Sequence, residues 1–386
     1  MNTSQEQLLR LLTLTIHGGV PTCESFSSID GDELYKLALQ QNVCALVYST
    51  IIKYPENIKL EEQIMRRWKH NTLLGVTRQL FMMDGMKPIF DLFSSSGIPV
   101  ISLKGLTLKQ LYPQPELREM SDLDLFIEEK DMARSIEVMK TQGYHPRSLH
   151  LENPDHMHIE MDKSDSFTVE LHRTLWPLHN FKKKDVTRIW FNHIWENKRQ
   201  LELEGIQFTA LPLEDELINM VIHLAKHIMN YGSDLRQFCD IVFFLKAYWH
   251  TMDVEYVDRT IKSMDLFLFY QYLLTTCHLF LGLDIPVIES NIDISKCEIL
   301  MSDTLNFEMM HLTTEEKESW IILSSIYFFA RNNQLLMPLA FVIEVGRQIV
   351  KKKKTLLNSI SFSKRSIKAF SERARFLRSI GLLVRL

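Results

Sequence analysis

Residues 103–126 read LKGLTLKQLYPQPELREMSDLDLF, and the fold turns on how the last six are taken. In a strand, successive side chains point to opposite faces, so Asp122 and Asp124 share one face while Leu123 and Leu125 share the other. Aspartate is depleted from ordinary strands, and two carboxylates side by side repel unless a cation lies between them. Magnesium, which prefers oxygen ligands and keeps several waters, relieves that repulsion. The plain alternative is a solvent-facing strand edge that binds nothing.

Working outward, SSSGIPVISLKG (94–105) is a turn cluster followed by a short β-type run from Pro99 to Leu103. Gly105 then breaks the run before LTLKQLY, which predicts a strand handing over to a short helix. At such a junction the glycine lets backbone approach a phosphate, helix N–H groups face it, and Lys104 adds a point charge. Arg118, four residues before Asp122, carries a planar fork suited to phosphate oxygens. Downstream, KDMARSIEVMKTQGY predicts a helix ending at Gly143, and HMHIEM and SFTVELH predict two strands joined by DKSD. Parity in TVELH sets Glu170 and His172 opposite Val169 and Leu171. If the strands are neighbours, Glu170 becomes a third carboxylate, and three such acids can hold two metal ions for phosphoryl chemistry.

The first 95 or so residues show apolar recurrences at three and four and read as helices. Beyond Trp176 the chain is helical again, apart from a hairpin in KRQLELEGIQFTAL that turns at Glu204-Gly205. The expected architecture is α+β. It has a helical region (1–97), a mixed-sheet core (98–212), a C-terminal helical domain (213–345) and a basic amphipathic tail (346–386).

With 386 residues and 46% apolar content, the chain can bury a sizeable core. Five cysteines without a C-x-x-C pair, and an N-terminus without a secretion-signal pattern, predict reduced thiols and a cytoplasmic protein. LFLFYQYLLTTCHLFLGL carries Gln271 and His278 and predicts a buried helix, so no transmembrane segment is expected. The net charge is −4, yet Gly346 to Leu386 holds twelve Lys and Arg against Glu372 alone. Such a tail is read first as a solvated helix packed on the C-terminal domain. Nucleic acid, anionic lipid or an acidic partner are its other readings. Walker-type, dinucleotide-binding and G-x-S-x-G patterns are absent from the sequence, which disfavours kinase, dehydrogenase and hydrolase classes.

The ordered set of LKG, Arg118, SDLDLF, Gly143-Tyr144, VELH (169–172), HLAKH and LRQFCDI resembles the nucleotidyltransferase superfamily typified by DNA polymerase β and kanamycin nucleotidyltransferase. More narrowly, it resembles a bacterial group of uncharacterised nucleotidyltransferases, some encoded beside peptide-modification genes. The resemblance spans roughly residues 30 to 250. It implies that Asp122 and Asp124 are the paired metal-binding acids, that Glu170 is the third, and that Lys104 and Gly105 stand at the loop holding the nucleotide. The implied cofactors are Mg2+, with Mn2+ as substitute, and an NTP, ATP in the first instance. Superfamily members usually have Gly-Ser at the loop, whereas here Leu106 follows Gly105, so Thr107 or backbone groups must replace the hydroxyl.

The reaction implied is NMP transfer to an acceptor that the residues leave open among small molecules, peptide or protein, and RNA. The rival is a catalytically silent binding protein of the same fold, acting with a partner in a biosynthetic or toxin-antitoxin system. His223 and His227, four apart, read as a polar stripe rather than a zinc pair. Lys226 and Arg236 are further candidate triphosphate contacts, although Arg236 and Asp240 read more simply as a surface ion pair. His158 and His172 are candidates to support the acids from behind. The aromatic run DIVFFLKAYW reads as core.

Overall fold

A computed structural model of the chain describes residues 1–22, 26, 28–147, 158–175, 184–230, 232–286, 292–306, 373 and 375–382. The chain divides into two compact units, residues 1–220 with 234–260 and 277–285, and residues 221–233 with 261–276 and 286–386.

The first unit opens with helices α1 (Thr3–His17), α2 (Gly31–Gln40), α3 (Cys44–Lys53) and α4 (Glu62–Ser95). α1 is closed at its start by a capping box between Asn2 and Gln5. Strand β1 (Ile101–Ser102) leads into the short α5 (Gly105–Lys109), then β2 (Asp122–Phe126), α6 (Met132–Thr141), β3 (His145–Pro146), β4 (His158–Asp162) and β5 (Thr168–His172). Helix α7 (Lys184–Asn197) precedes the hairpin β6 (Arg199–Leu203) and β7 (Ile206–Ala210), after which come α8 (Leu213–Asn230), α9 (Leu235–Tyr248) and α10 (Val254–Ser263). The last described elements include α11 (Phe267–Leu281) and α12 (Ile294–Leu305).

The strands form one mixed sheet in the order β3-β4-β5-β2-β1-β7-β6, in which β2 runs parallel to β5 and antiparallel to β1. The expected α+β class holds. The late hairpin joins the same sheet, with β7 pairing in parallel with β1 through Ser102 and Ala210. The boundaries at residues 97 and 212 therefore fall inside the first unit, because α4 supplies the cover of the sheet's apolar face. Met82, Met83, Met86, Ile89, Phe90 and Phe93 of α4 share one core with Leu123, Leu125, Val169 and Leu171. Leu123 and Leu125 are fully buried, and truncating either to alanine costs about 2–5 kcal/mol.

In the second unit, Ser233 and Thr304 hydroxyls meet at 2.9 Å, and Lys296 Nζ donates to the Tyr272 hydroxyl at 3.2 Å. The basic tail lies largely outside the described residues. Within its described part, Leu377 and Ile380 are buried, and Arg373 pairs with Asp303 and donates to the Ile228 carbonyl. That segment is thus packed on its own unit. Cys44, Cys239, Cys277 and Cys297 are buried free thiols, and Cys23 lies outside the described residues. Among the described residues no helix is long and apolar enough to cross a membrane.

Candidate metal and nucleotide site

Strand parity holds across two neighbouring strands. Asp122 and Asp124 on β2 are half-buried while Leu123 and Leu125 are buried, and Glu170 and His172 on β5 alternate in the same way with Val169 and Leu171. Because β2 and β5 pair in parallel, Asp124 and Glu170 are direct register partners. One carboxylate oxygen from each of Asp122, Asp124 and Glu170 lies within 4.8 Å of the other two. Phe126, on the same face, is covered by Phe191 and Trp195 of α7, with ring centroids at 5.3 Å and 5.4 Å. The carboxylates occupy the other end of that face.

Burial first, then the Asp124 and Glu170 carboxylates, push the Asp122 carboxyl up to about 6. His172 Nε2 lies 2.8 Å from Asp124 Oδ1 and 3.2 Å from Glu170 Oε2. Burial acts to lower its imidazole, but these carboxylates outweigh burial and hold it above its usual range. Lys104 Nζ approaches Asp124 Oδ2 at 3.4 Å. Oxygen donors in this number suit a hard divalent cation, so the residues present fit magnesium or manganese.

Lys104 is held in an uncommon backbone state. Its φ is 49° and its ψ −64°, and the Gly105 N–H donates to the Leu103 carbonyl, a γ-turn with positive φ. Such turns are rare and strained for a residue with a Cβ, and they persist where surrounding structure enforces them. Glu216, fully buried at the start of α8, accepts from the Lys104 N–H at 3.0 Å. Burial pushes the Glu216 carboxyl up to about 7, against smaller lowering effects from Arg199 and Lys104. Gly105 sits under Met120, whose Cε would lie 2.7 Å from an added Cβ. Thr107 is buried, with its hydroxyl unpartnered among the described residues, and the Lys104 and Gly105 N–H groups are already donated to Glu216 and to the Leu103 carbonyl.

Arg118 is placed differently from the sequence expectation. It is 4% exposed, and donates from Nε and Nη2 to Asp240 Oδ1 and Oδ2 at 2.7 Å and 2.8 Å. Tyr112 adds a hydrogen bond to Asp240 at 2.8 Å. The fork that sequence reading offered to phosphate is filled by a buried carboxylate. Asp240 is correspondingly not the surface partner of Arg236, which lies 3.4 Å from Asp234 instead. Lys109, fully buried, donates to Gln79 Oε1 and to the Pro115 and Arg118 carbonyls at 2.8, 3.2 and 2.7 Å. Gln79 also bonds Met120 at both backbone groups, so the loop delivering Asp122 is fixed at several points.

Beside Ser121 opens a cleft of about 500 Å³, whose lining includes Asn42, Arg78, Glu119, Phe167 and Arg236. Arg78 of α4 reaches this cleft through the tertiary fold alone, which no local sequence pattern signals. The His223 and His227 rings lie 4.3 Å apart at a tilt of 49° in the second unit, where Lys226 also lies. They belong to neither group of metal-suited side chains found among the described residues. The aromatic run is core, with Ile241, Val242, Phe244 and Leu245 buried.

The family comparison places this sheet and its flanking helices within a nucleotidyltransferase family. The family described as "Uncharacterised nucleotidyltransferase" matches residues 27–282, and the chain belongs to it. No curated protein matches the chain. Among solved structures, an antigenic nucleotidyltransferase-like protein from Paracoccidioides brasiliensis is similar at 11% identity, over 55% of this chain and 94% of that chain, with a TM-score of 0.28.

Proposed function

We propose that the chain is a divalent-metal-dependent nucleotidyltransferase that moves an NMP from an NTP, ATP in the first instance, to an acceptor. In that reaction an acceptor oxygen bonds to the α-phosphorus, the bond to the β-phosphate oxygen breaks, and pyrophosphate leaves. One observation carries the reading: three carboxylates from adjacent strands converge within 4.8 Å beside a lysine 3.4 Å from Asp124.

Asp122, Asp124 and Glu170 would hold the metal, Mg2+ with Mn2+ as substitute, which when bound neutralises phosphate charge and lowers the acceptor's pKa. Glu170 takes the proton that the acceptor loses. The strained turn at Lys104 holds that residue beside Asp124, from where its ammonium meets the triphosphate. Arg78 and Arg236, which line the adjoining cleft, supply the phosphate charge that Arg118, committed to Asp240, does not. Catalysis of this kind is chiefly positioning and charge compensation.

A second reading, a silent binding protein on the same fold, draws on one feature: Asp124 is already faced by Lys104 and His172. The test is transfer of label from α-labelled NTP with pyrophosphate release, in the unsubstituted chain and in Asp124→Ala. Transfer that falls at least about a thousandfold in a folded variant supports the enzyme. Label transfer at an unaffected rate would sink the assignment, and metal-independent nucleotide binding without transfer would favour the silent reading.

A further inference from the structure

The carboxylate cluster has a nitrogen side. His158 on β4 and His172 on β5 are direct cross-strand partners, and their rings lie 4.9 Å apart. By parity both project to the face that carries Glu170. Both Nε2 atoms approach the same oxygen, Glu170 Oε2, at 3.6 Å and 3.2 Å. One donor atom from each of His158, Glu170 and His172 lies within 4.8 Å of the other two. Neighbouring ligands of an ion bound at about 2.1 Å stand about 3 Å apart. Small side-chain shifts therefore suffice to close this set on one ion, and all three residues sit on strands rather than loops, which limits the ordering cost. Glu170 is shared with the Asp122 and Asp124 group, so the two triads meet at one carboxylate.

We propose that His158 and His172 join Glu170 as ligands of one ion, and that this position takes a divalent transition metal of the manganese class in preference to magnesium. The inference rests on the metal-dependent reading above. Its chemical warrant is the donor set. Magnesium demands oxygen ligands and dehydrates reluctantly, whereas first-row transition ions accept imidazole nitrogen beside carboxylate. Two histidines facing one carboxylate, both largely shielded from solvent at 26% and 12% side-chain exposure, form a site that a magnesium-only enzyme does not need.

The probe is Mn2+ alone, titrated into the full chain and followed by electron paramagnetic resonance. Nitrogen coupling at the bound ion is read by the pulsed method in protein carrying ordinary or 15N-labelled histidine. The expected result is bound Mn2+ with a nitrogen coupling that changes with the histidine isotope, is reduced in His158→Asn and in His172→Asn, and is lost when both are substituted. Mn2+ is expected to bind at least about tenfold tighter than competing Mg2+, a margin that shrinks about tenfold or more in either variant. Bound Mn2+ without histidine coupling overturns this inference and leaves the three-carboxylate reading standing. Absence of bound Mn2+ overturns both. The isotope comparison uses the unsubstituted chain, so it decides even where a variant fails to fold.

Discussion

Arg118 and Asp240, 122 residues apart, form a two-point hydrogen-bonded pair with side chains only 4% and 6% exposed. Removing one partner of a buried pair strands the other charge, which costs about 3–5 kcal/mol. Arg118→Ala is expected to lower unfolding stability by that amount in urea denaturation. Arg118→Lys, which cannot reproduce the fork, should lose part of it while keeping nucleotide affinity within about threefold. Selective loss of nucleotide binding at unchanged stability would return Arg118 to the phosphate.

Glu216 predicts a pH dependence of stability. Its folded carboxyl titrates at about 7 against an ordinary 4.5, so between those values the folded state holds a proton that the unfolded state has lost. Its contribution is fully present below 4.5 and is lost as pH rises through about 7, an effect on the order of 3 kcal/mol. Glu216→Gln keeps an acceptor for the Lys104 N–H without that titration. Stability curves from pH 4.5 to 8 should therefore fall less steeply in the variant, and identical slopes would remove Glu216 as the cause.

Asp122 ties metal binding to pH. With its carboxyl raised to about 6 by burial and by the neighbouring acids, a proton competes with the cation below that value. Mn2+ or Mg2+ affinity should weaken steadily as pH falls through about 6, and calorimetric titration from pH 5.5 to 7.5 measures it. An affinity flat across that window would argue against Asp122 as a ligand.

Much of this site is legible in the sequence because strand parity is a local rule. Asp122, Asp124, Glu170 and His172 alternate against buried Leu123, Leu125, Val169 and Leu171, and a period of two is visible in five residues. What local pattern does not carry is pairing across distance. The neighbourhood of β2 and β5, the docking of β7 on β1, and the capture of Arg118 by Asp240 are tertiary facts. The γ-turn at Lys104 is equally hidden: nothing in Leu103-Lys104-Gly105 signals a positive φ at the lysine, which depends on Glu216, 112 residues on. β3 is only two residues long, too short for any periodicity.

Whether Asp122, Asp124 and Glu170 surround a divalent cation when nucleotide binds is tested most directly by crystals grown with Mn2+ and a non-hydrolysable NTP, measured at the manganese absorption edge. The expected result is an anomalous peak bounded by those three carboxylates, with the triphosphate reaching toward Lys104. Nucleotide bound with no peak among the three side chains, or a peak only elsewhere, would contradict it.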